Sequence, residues 1–238
     1  MLLPSPLYPG VLIRRYQRFL ADVRLDSGET LTAHCPNSGS MKGCAFPGRV
    51  LLSRSDRQGR KLAYTWELVE TGGDWAGINT LLPNRIVREA IETGSIPELS
   101  GYDAIRTEVP YGENSRIDIL LDGKGCRCFV EVKNVTLVEG DAALFPNSVT
   151  IRGQKHLNEL MRVVREGDRG VIFYVVQRRD STSFAPADSI DPVYGRLLRQ
   201  AVGAGVEAIA YQADVTPRAI SLGRPLPVIL PPLHMSTK

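Results

Sequence analysis

Two apolar segments, RIDILL (residues 116–121) and CRCFVEVKNV (residues 126–135), are joined by only four residues, DGKG. So short a connection between strand-forming segments favours an antiparallel hairpin. A hairpin dictates which side chains share a face, because their direction alternates with a period of two. With all four residues in the loop, Leu121 pairs with Cys126 and Asp118 lies opposite Phe129. Asp118, Phe129, Glu131 and Lys133 then share one face, while Cys126, Cys128, Val130 and Val132 take the other and read as core. Asp118 and Glu131 become diagonal neighbours, roughly 7–8 Å apart before side-chain reach is counted. A slip of one residue would move every one of these side chains to the opposite face.

The rest of the chain reads as two texts joined near residue 80. In the first, Phe19, Ala21, Val23 and Leu25 alternate with polar neighbours. DSGE makes a turn, and TLTAH, RVLLS and YTWELVE follow as short strands around the loop CPNSGSMKG. Short strands, glycine turns and a basic balance predict a small OB-like β-barrel, although a small sandwich would read similarly. The second text is α/β. NTLLPNRIVREAIETG predicts a helix starting at Asn79, with Pro83 in its first turn and Gly94 as its stop. IRTEVPY, the hairpin, GVIFYVVQ and VEAIAYQAD read as strands, GVIFYVVQ being buried on both faces. Residues 136–149 read as a long loop. Thr150 is placed to cap a helix carrying Leu157, Leu160, Met161 and Val164, and PVYGRLLRQAVGAG forms another helix. The tail PLPVILPPLHMSTK reads as irregular or extended. The expected organisation is a basic, OB-like domain over residues 1–80, followed over residues 81–238 by an α/β domain with a mixed sheet flanked by helices.

Charge supports a division of labour. The net charge is +3, and residues 1–80 carry the whole surplus, with ten Lys/Arg against seven Asp/Glu. Arg14, Arg15 and Arg18 form one cluster; Arg54, Arg57, Arg60 and Lys61 form another. Such clusters attract phosphate backbones, and they are equally the ordinary charge of solvated loops. No apolar run approaches the roughly 18 residues of a membrane span. The opening MLLPSPLYPG lacks the charged leader of a secretory signal, so the cytoplasm is the expected location. Cys35, Cys44, Cys126 and Cys128 lack C-x-x-C spacing, so zinc is not expected, and reduced thiols follow from that location.

Two inward carboxylates suit a hard cation such as Mg²⁺, with Mn²⁺ as a substitute. Glu89 falls on the apolar side of its predicted helix, where a carboxylate needs a cation, a proton or a donor. Gln154 falls near Leu157 and Met161 and reads as a polar partner of the site. A metal with a neighbouring lysine suits phosphodiester hydrolysis: the cation activates water, and Lys133 orients it or stabilises developing charge. The competing reading is an ion pair of Glu131 with Lys133, or with Arg116, which lies opposite Glu131 in this register. Arg14, Arg15, Arg18, Lys42, Arg116, Arg152 and Lys155 are the candidate contacts to nucleic acid.

An Asp on one strand followed by E-x-K on the next resembles the PD-(D/E)XK nuclease superfamily, with Ile117-Asp118 in place of Pro-Asp. Longer stretches, HCPNSGSMKG, GYDAIRTEVPYGENSRIDILL, FVEVKNVTLV, FPNSVTIRGQKHLNELM and SIDPVYGRLLRQAVGAGVEAIAY, resemble the sugar fermentation stimulation protein A (SfsA) family in order. That resemblance implies an N-terminal OB-like domain, a nuclease-like C-terminal domain and sequence-non-specific DNA binding. It also implies an association with regulation of sugar, especially maltose, metabolism in bacteria. By position it implies Asp118, Glu131 and Glu89 as metal ligands and Lys133 and Gln154 as catalytic residues. DNA is the expected partner, with RNA and a homodimer also compatible. A DNA-binding regulator on an inactive nuclease fold remains the alternative. Within HCPNSGSMKG, residues 37–40 favour a tight turn, though backbone amides and Lys42 would also suit a phosphate. His34 shows no partner in sequence.

Overall fold

A computed structural model describes residues 1–112, 115–123 and 125–232. Leu233 to Lys238, the end of the tail, lie outside the described residues, as do Glu113, Asn114 and Lys124 of the quoted motifs.

The N-terminal part contains β1 (Leu7–Tyr16), β2 (Leu20–Leu25), β3 (Thr30–His34), β4 (Arg49–Arg54), β5 (Tyr64–Thr71) and β6 (Asp74–Gly77). They pair in the order β3-β2-β1-β4-β5-β6, and a parallel bridge from His34 to Thr65 closes β3 onto β5. This is a closed five-stranded OB barrel with β6 added at β5. Its interior holds Leu12, Ala21, Val23, Leu52 and Trp66 from the strands, with Ile78 just after β6. β1 was not expected from a segment containing Pro9 and Gly10. Gly10 is what lets it cross β2 closely: a Cβ there would lie 2.7 Å from the Arg24 carbonyl oxygen.

The C-terminal part runs α1 (Pro83–Glu92), β7 (Ala104–Tyr111), β8 (Ser115–Gly123), β9 (Cys126–Val135), β10 (Leu137–Glu139), β11 (Ala142–Phe145) and α2 (Ile151–Arg165). β12 (Arg169–Val176), β13 (Ser183–Pro186), α3 (Pro192–Gly203), β14 (Glu207–Val215) and β15 (Ile220–Leu226) complete it. The main sheet has the order β15-β14-β12-β9-β8-β7 and is mixed, with β12 parallel to both β9 and β14. β12 is buried along nearly all its length, as its unbroken apolar run requires. β10, β11 and β13 form a small second sheet, so residues 136–149 are not one loop.

Each sheet face has its own core. On one, Ile119, Leu121, Val130, Val132 and Phe173 meet Ile86, Val87 and Ala90 of α1, with Leu51 and Leu68 of the barrel in the same cluster. The two parts therefore share apolar contact. On the other, Phe129, Ile172 and Tyr174 meet Leu157 and Leu160 of α2 and Leu198 of α3. Each fully buried Leu or Phe stabilises such a core by about 1.5–3 kcal/mol relative to exposure.

Helix ends follow local chemistry. Thr150 caps α2 as expected, accepting from Gly153 N at 3.1 Å. Asp191 caps α3, accepting from Tyr194 N at 2.9 Å. The expected cap of α1 is corrected: Pro83 is its first residue, and Asn79 instead accepts from Leu81 N at 3.1 Å while donating to Glu67 at 2.8 Å.

Candidate active site

The hairpin register differs from the expected one by two residues. Gly123 pairs with Cys126 and Ile119 with Val130, so the strands run further into the connection than a four-residue loop allows. An even shift preserves the faces. Continuing the count brings Asp118 abreast of Glu131 rather than diagonal to it, and the same shift carries Arg116 past Glu131. Arg116 does not neutralise that acid; its guanidinium donates to the Glu108 carbonyl oxygen at 2.7 Å.

Asp118 is held from two sides. Val132 N donates to its Oδ2 at 2.8 Å, and Asn84 Nδ2, from the first turn of α1, donates to its Oδ1 at 2.7 Å. Burial and then the neighbouring Glu131 charge nevertheless push its carboxyl above the usual range. Glu131 is 2 % exposed. Burial opposes its ionisation most, but Lys133 and His156 outweigh that and hold its carboxyl below the usual range. Lys133 Nζ lies 2.5 Å from Glu131 Oε1, and His156 Nδ1 contacts the same oxygen. Glu131 Oε2 is buried with no hydrogen-bond partner. A buried carboxylate oxygen left unpaired is costly, and a water or a cation would satisfy it.

His156 was missed in the sequence. It lies on the buried arc of α2 with Gly153, Leu157 and Leu160, a polar residue at a core position. Arg152 Nε donates to its Nε2 at 3.3 Å, which leaves Nδ1 as the protonated nitrogen that faces Glu131. The buried arc of α2 is thus centred one residue away from the arc through Gln154 and Met161. Gln154 accordingly does not join the acids; it donates to both carboxylate oxygens of Asp191 at 3.0 and 3.1 Å. Glu89 does not join them either. Its side chain is 52 % exposed and pairs with the amino group of Met1 at 2.9 Å. Asn84 sits a turn and a half before it and occupies the end of α1 that meets Asp118. Among the described residues, no three His, Cys, Asp or Glu side chains form a metal-holding group. The acid pair is flanked instead by an amide, a lysine and a histidine.

The other candidates divide. Arg116, Arg152 and Lys155 come together with His156 and Ser115 around an open cleft of about 660 Å³. Arg14 is paired across the strands with Asp22 at 2.8 Å and stacks over Tyr16. Arg15 turns inward and donates to the carbonyl oxygens of Asn37 and Gly39, both at 2.8 Å. Arg18 and Lys42 are exposed. All four cysteines are free, with Cys35, Cys44 and Cys128 buried, as core thiols should be.

A closed OB barrel packed on a mixed α/β sheet, with an acid pair and lysine on adjacent central strands, defines the class of this protein. Residues 13–78 match the family profile described as "SfsA N-terminal OB domain", and residues 81–219 match "Sugar fermentation stimulation protein RE domain". Sugar fermentation stimulation protein homologs of Geobacter sulfurreducens and Paramagnetospirillum magneticum are 71 % and 54 % identical, covering 96 % and 93 % of this chain and 99 % and 95 % of their own. The solved structure of Pyrococcus furiosus SfsA in complex with Ca²⁺ is 31 % identical with a TM-score of 0.87, over 96 % of this chain and 98 % of that one. The chain belongs to the sugar fermentation stimulation protein (SfsA) family. No helix among the described residues is long and apolar enough to cross a membrane.

Proposed function

We propose that this chain binds DNA without sequence preference and hydrolyses phosphodiester bonds with Mg²⁺ or Mn²⁺ at Asp118 and Glu131. The observation that carries the reading is Glu131 Oε2, a buried carboxylate oxygen with no protein partner beside a second, reluctantly ionised carboxylate. Two such oxygens suit a hard cation better than they suit each other. The residues present therefore fit a divalent ion, and Asp118 and Glu131 are the pair to hold it. The Ca²⁺ complex of the similar Pyrococcus furiosus chain supports a cation with oxygen ligands.

When bound, the ion would neutralise phosphate charge and lower the pKa of a water. The chain's own residues do the rest. Lys133, at the rim of the acid pair, stabilises charge developing on the phosphate oxygens. His156 holds Glu131 Oε1 from behind, so Oε2 stays free. Arg116, Arg152 and Lys155 hold the neighbouring phosphates of the strand. Glu89 and Gln154 have no part in this reading. Any link to sugar metabolism would follow from nucleic-acid binding.

The test is a nuclease assay over single- and double-stranded DNA and RNA with Mg²⁺ or Mn²⁺. Asp118→Asn should abolish cleavage, and Lys133→Ala should slow it by about 10²–10³-fold, with binding retained. A wild-type chain that binds DNA yet cuts none of these substrates would leave the non-catalytic regulator as the reading.

A further inference from the structure

A second cleft, of about 310 Å³, opens on the other side of Lys133, between the barrel and the α/β part. Pockets at the junction of two structural units are common ligand sites, and this volume is at the lower end of their roughly 300–1,000 Å³ range. One wall is the CPNSGS loop, which lies outside the acid pair and its cationic cleft. The opposite wall is the 145–150 segment, and the floor includes Asn84 and Asn134.

The walls are held in place from both sides. Asn37 Oδ1 accepts from Gly39 N at 2.9 Å, the tight turn expected from sequence. Arg15 clamps the Asn37 and Gly39 carbonyls, Thr80 Oγ1 donates to the Pro36 carbonyl at 2.7 Å, and Ser40 Oγ donates to the Asn147 carbonyl. Gly39 approaches Asn147 so closely that a Cβ would lie 2.8 Å from its Oδ1. A site held this way loses little ordering entropy on binding.

The chemistry of the lining is specific. Side-chain amides come from Asn37, Asn84, Asn134 and Asn147, and Lys133 is the one ionisable side chain among the lining residues. Asn134 Oδ1 is buried without a partner. Phe145 adds an aromatic surface that is partly exposed and braced edge-on by Tyr194 at 5.2 Å. The cleft thus offers uncharged donors and acceptors, one aromatic ring and, at one end, the lysine of the acid pair. The complementary ligand is flat, neutral, rich in hydrogen-bonding edges and joined to an anion. A nucleobase on its phosphodiester has those properties, and asparagine amides read base edges well. A base inside a duplex is stacked and paired and cannot enter such a cleft without being extruded.

We infer that this cleft receives an unpaired nucleobase adjoining the phosphate presented to Asp118, Glu131 and Lys133, so that the protein prefers single-stranded to duplex nucleic acid. The inference rests on the nucleic-acid reading above but not on cleavage. The test measures binding of a short fluorescent oligonucleotide, single-stranded or annealed, to the full chain in EDTA and in Ca²⁺. The expected result is at least tenfold tighter binding of the single strand. Asn134→Ala with Asn147→Ala should remove that preference while duplex affinity stays unchanged. Asn147→Asp, nearly isosteric and placing a negative charge in the cleft, should do the same with an unaltered thermal unfolding midpoint. Equal affinity for the two forms, or variants that weaken both alike, would overturn the inference. Single-strand preference in a chain that never cuts would remove the phosphodiesterase reading and keep the cleft. Cutting without preference would do the reverse.

Discussion

Lys133 Nζ lies 2.5 Å from Glu131 Oε1, two residues away along one strand and on one face of it. This contact splits the behaviour of the two acids. Glu131 has a cation and an imidazole N–H on one oxygen, and its carboxyl is held low. Asp118 is hydrogen-bonded only by neutral donors, and its burial and the Glu131 charge outweigh the pull of Lys133, so its carboxyl is pushed up. With Asp118, Glu131 and Lys133 all ionised, the cluster carries one unbalanced negative charge. That imbalance is the physical case for a cation.

It also predicts a stability cost. A carboxyl whose folded pKa is raised favours folding below its unfolded pKa of about 3.9 and loses that contribution as pH rises through the folded value. Asp118→Asn should therefore raise the thermal midpoint at pH 7 in EDTA, with the gain vanishing below about pH 3.9. Adding Mg²⁺ or Mn²⁺ should stabilise the wild type, by about 2.7 kcal/mol at a hundred times Kd, and so raise its midpoint while leaving the variant unmoved. Melting curves over pH, with and without metal, check both parts. A variant less stable than wild type at pH 7 would show that the hydrogen bonds to Asp118 outweigh its burial.

His156 acts through Glu131, so its loss should appear in metal binding. His156→Ala should weaken Mn²⁺ binding by about 10–100-fold, the usual cost of removing a partner that orients a ligand. His156→Asn, whose amide can replace the Nδ1 donor, should restore much of the affinity. Calorimetric titration with Mn²⁺ distinguishes this from a packing role, in which Asn would rescue nothing.

The acid pair was legible because strand alternation survives an even register error. Counting the DGKG loop as four residues misplaced Asp118 by two residues but kept it on the face of Glu131 and Lys133. Helical faces are less forgiving. Turning α2 by one residue selects Gln154 in place of His156, since 100° per residue separates core from rim. Glu89 failed for a different reason: its carboxylate meets the Met1 amino group, a contact spanning 88 positions that no local pattern carries. Arg15 illustrates the same limit. Its cluster with Arg14 and Arg18 reads as solvent-facing charge, yet tertiary contact turns its guanidinium onto the CPNSGS carbonyls.

Asp191 joins two helices. It caps α3 at Tyr194 N, accepts from Thr150 N at 2.9 Å and holds Gln154, while being only 1 % exposed. Burial opposes its ionisation, but those donors together hold its carboxyl below the usual range. A depressed carboxyl contributes stability above the unfolded pKa and loses it as pH falls through the folded value. Asp191→Ala should cost at least the roughly 0.5–2 kcal/mol of a lost cap at pH 7. The difference from wild type should shrink below about pH 3.9. Urea unfolding at pH 7 and pH 3 measures it. A pH-independent difference would assign the effect to packing alone.

The cationic cleft makes a prediction about salt. Arg116, Arg152 and Lys155 surround one open space beside His156 and Glu108, with Arg116 on the Glu108 carbonyl, Arg152 on His156 and Lys155 3.7 Å from Glu159, while Arg14 pairs with Asp22 and Arg15 with the CPNSGS loop, both away from that space. Each cation that neutralises a phosphate releases counterions, so removing it should flatten the slope of log affinity against log salt by about 0.9 for duplex or about 0.7 for single-stranded DNA. Arg116→Ala, Arg152→Ala and Lys155→Ala should each do so, and Arg14→Ala should leave the slope nearly unchanged. Arg15→Ala should loosen the wall of the asparagine-lined cleft and weaken single-strand binding at every salt concentration without changing the slope. Affinity titrations across a series of salt concentrations separate these outcomes. A slope that responds to Arg14 and ignores Arg116, Arg152 and Lys155 would move the phosphate track onto the barrel.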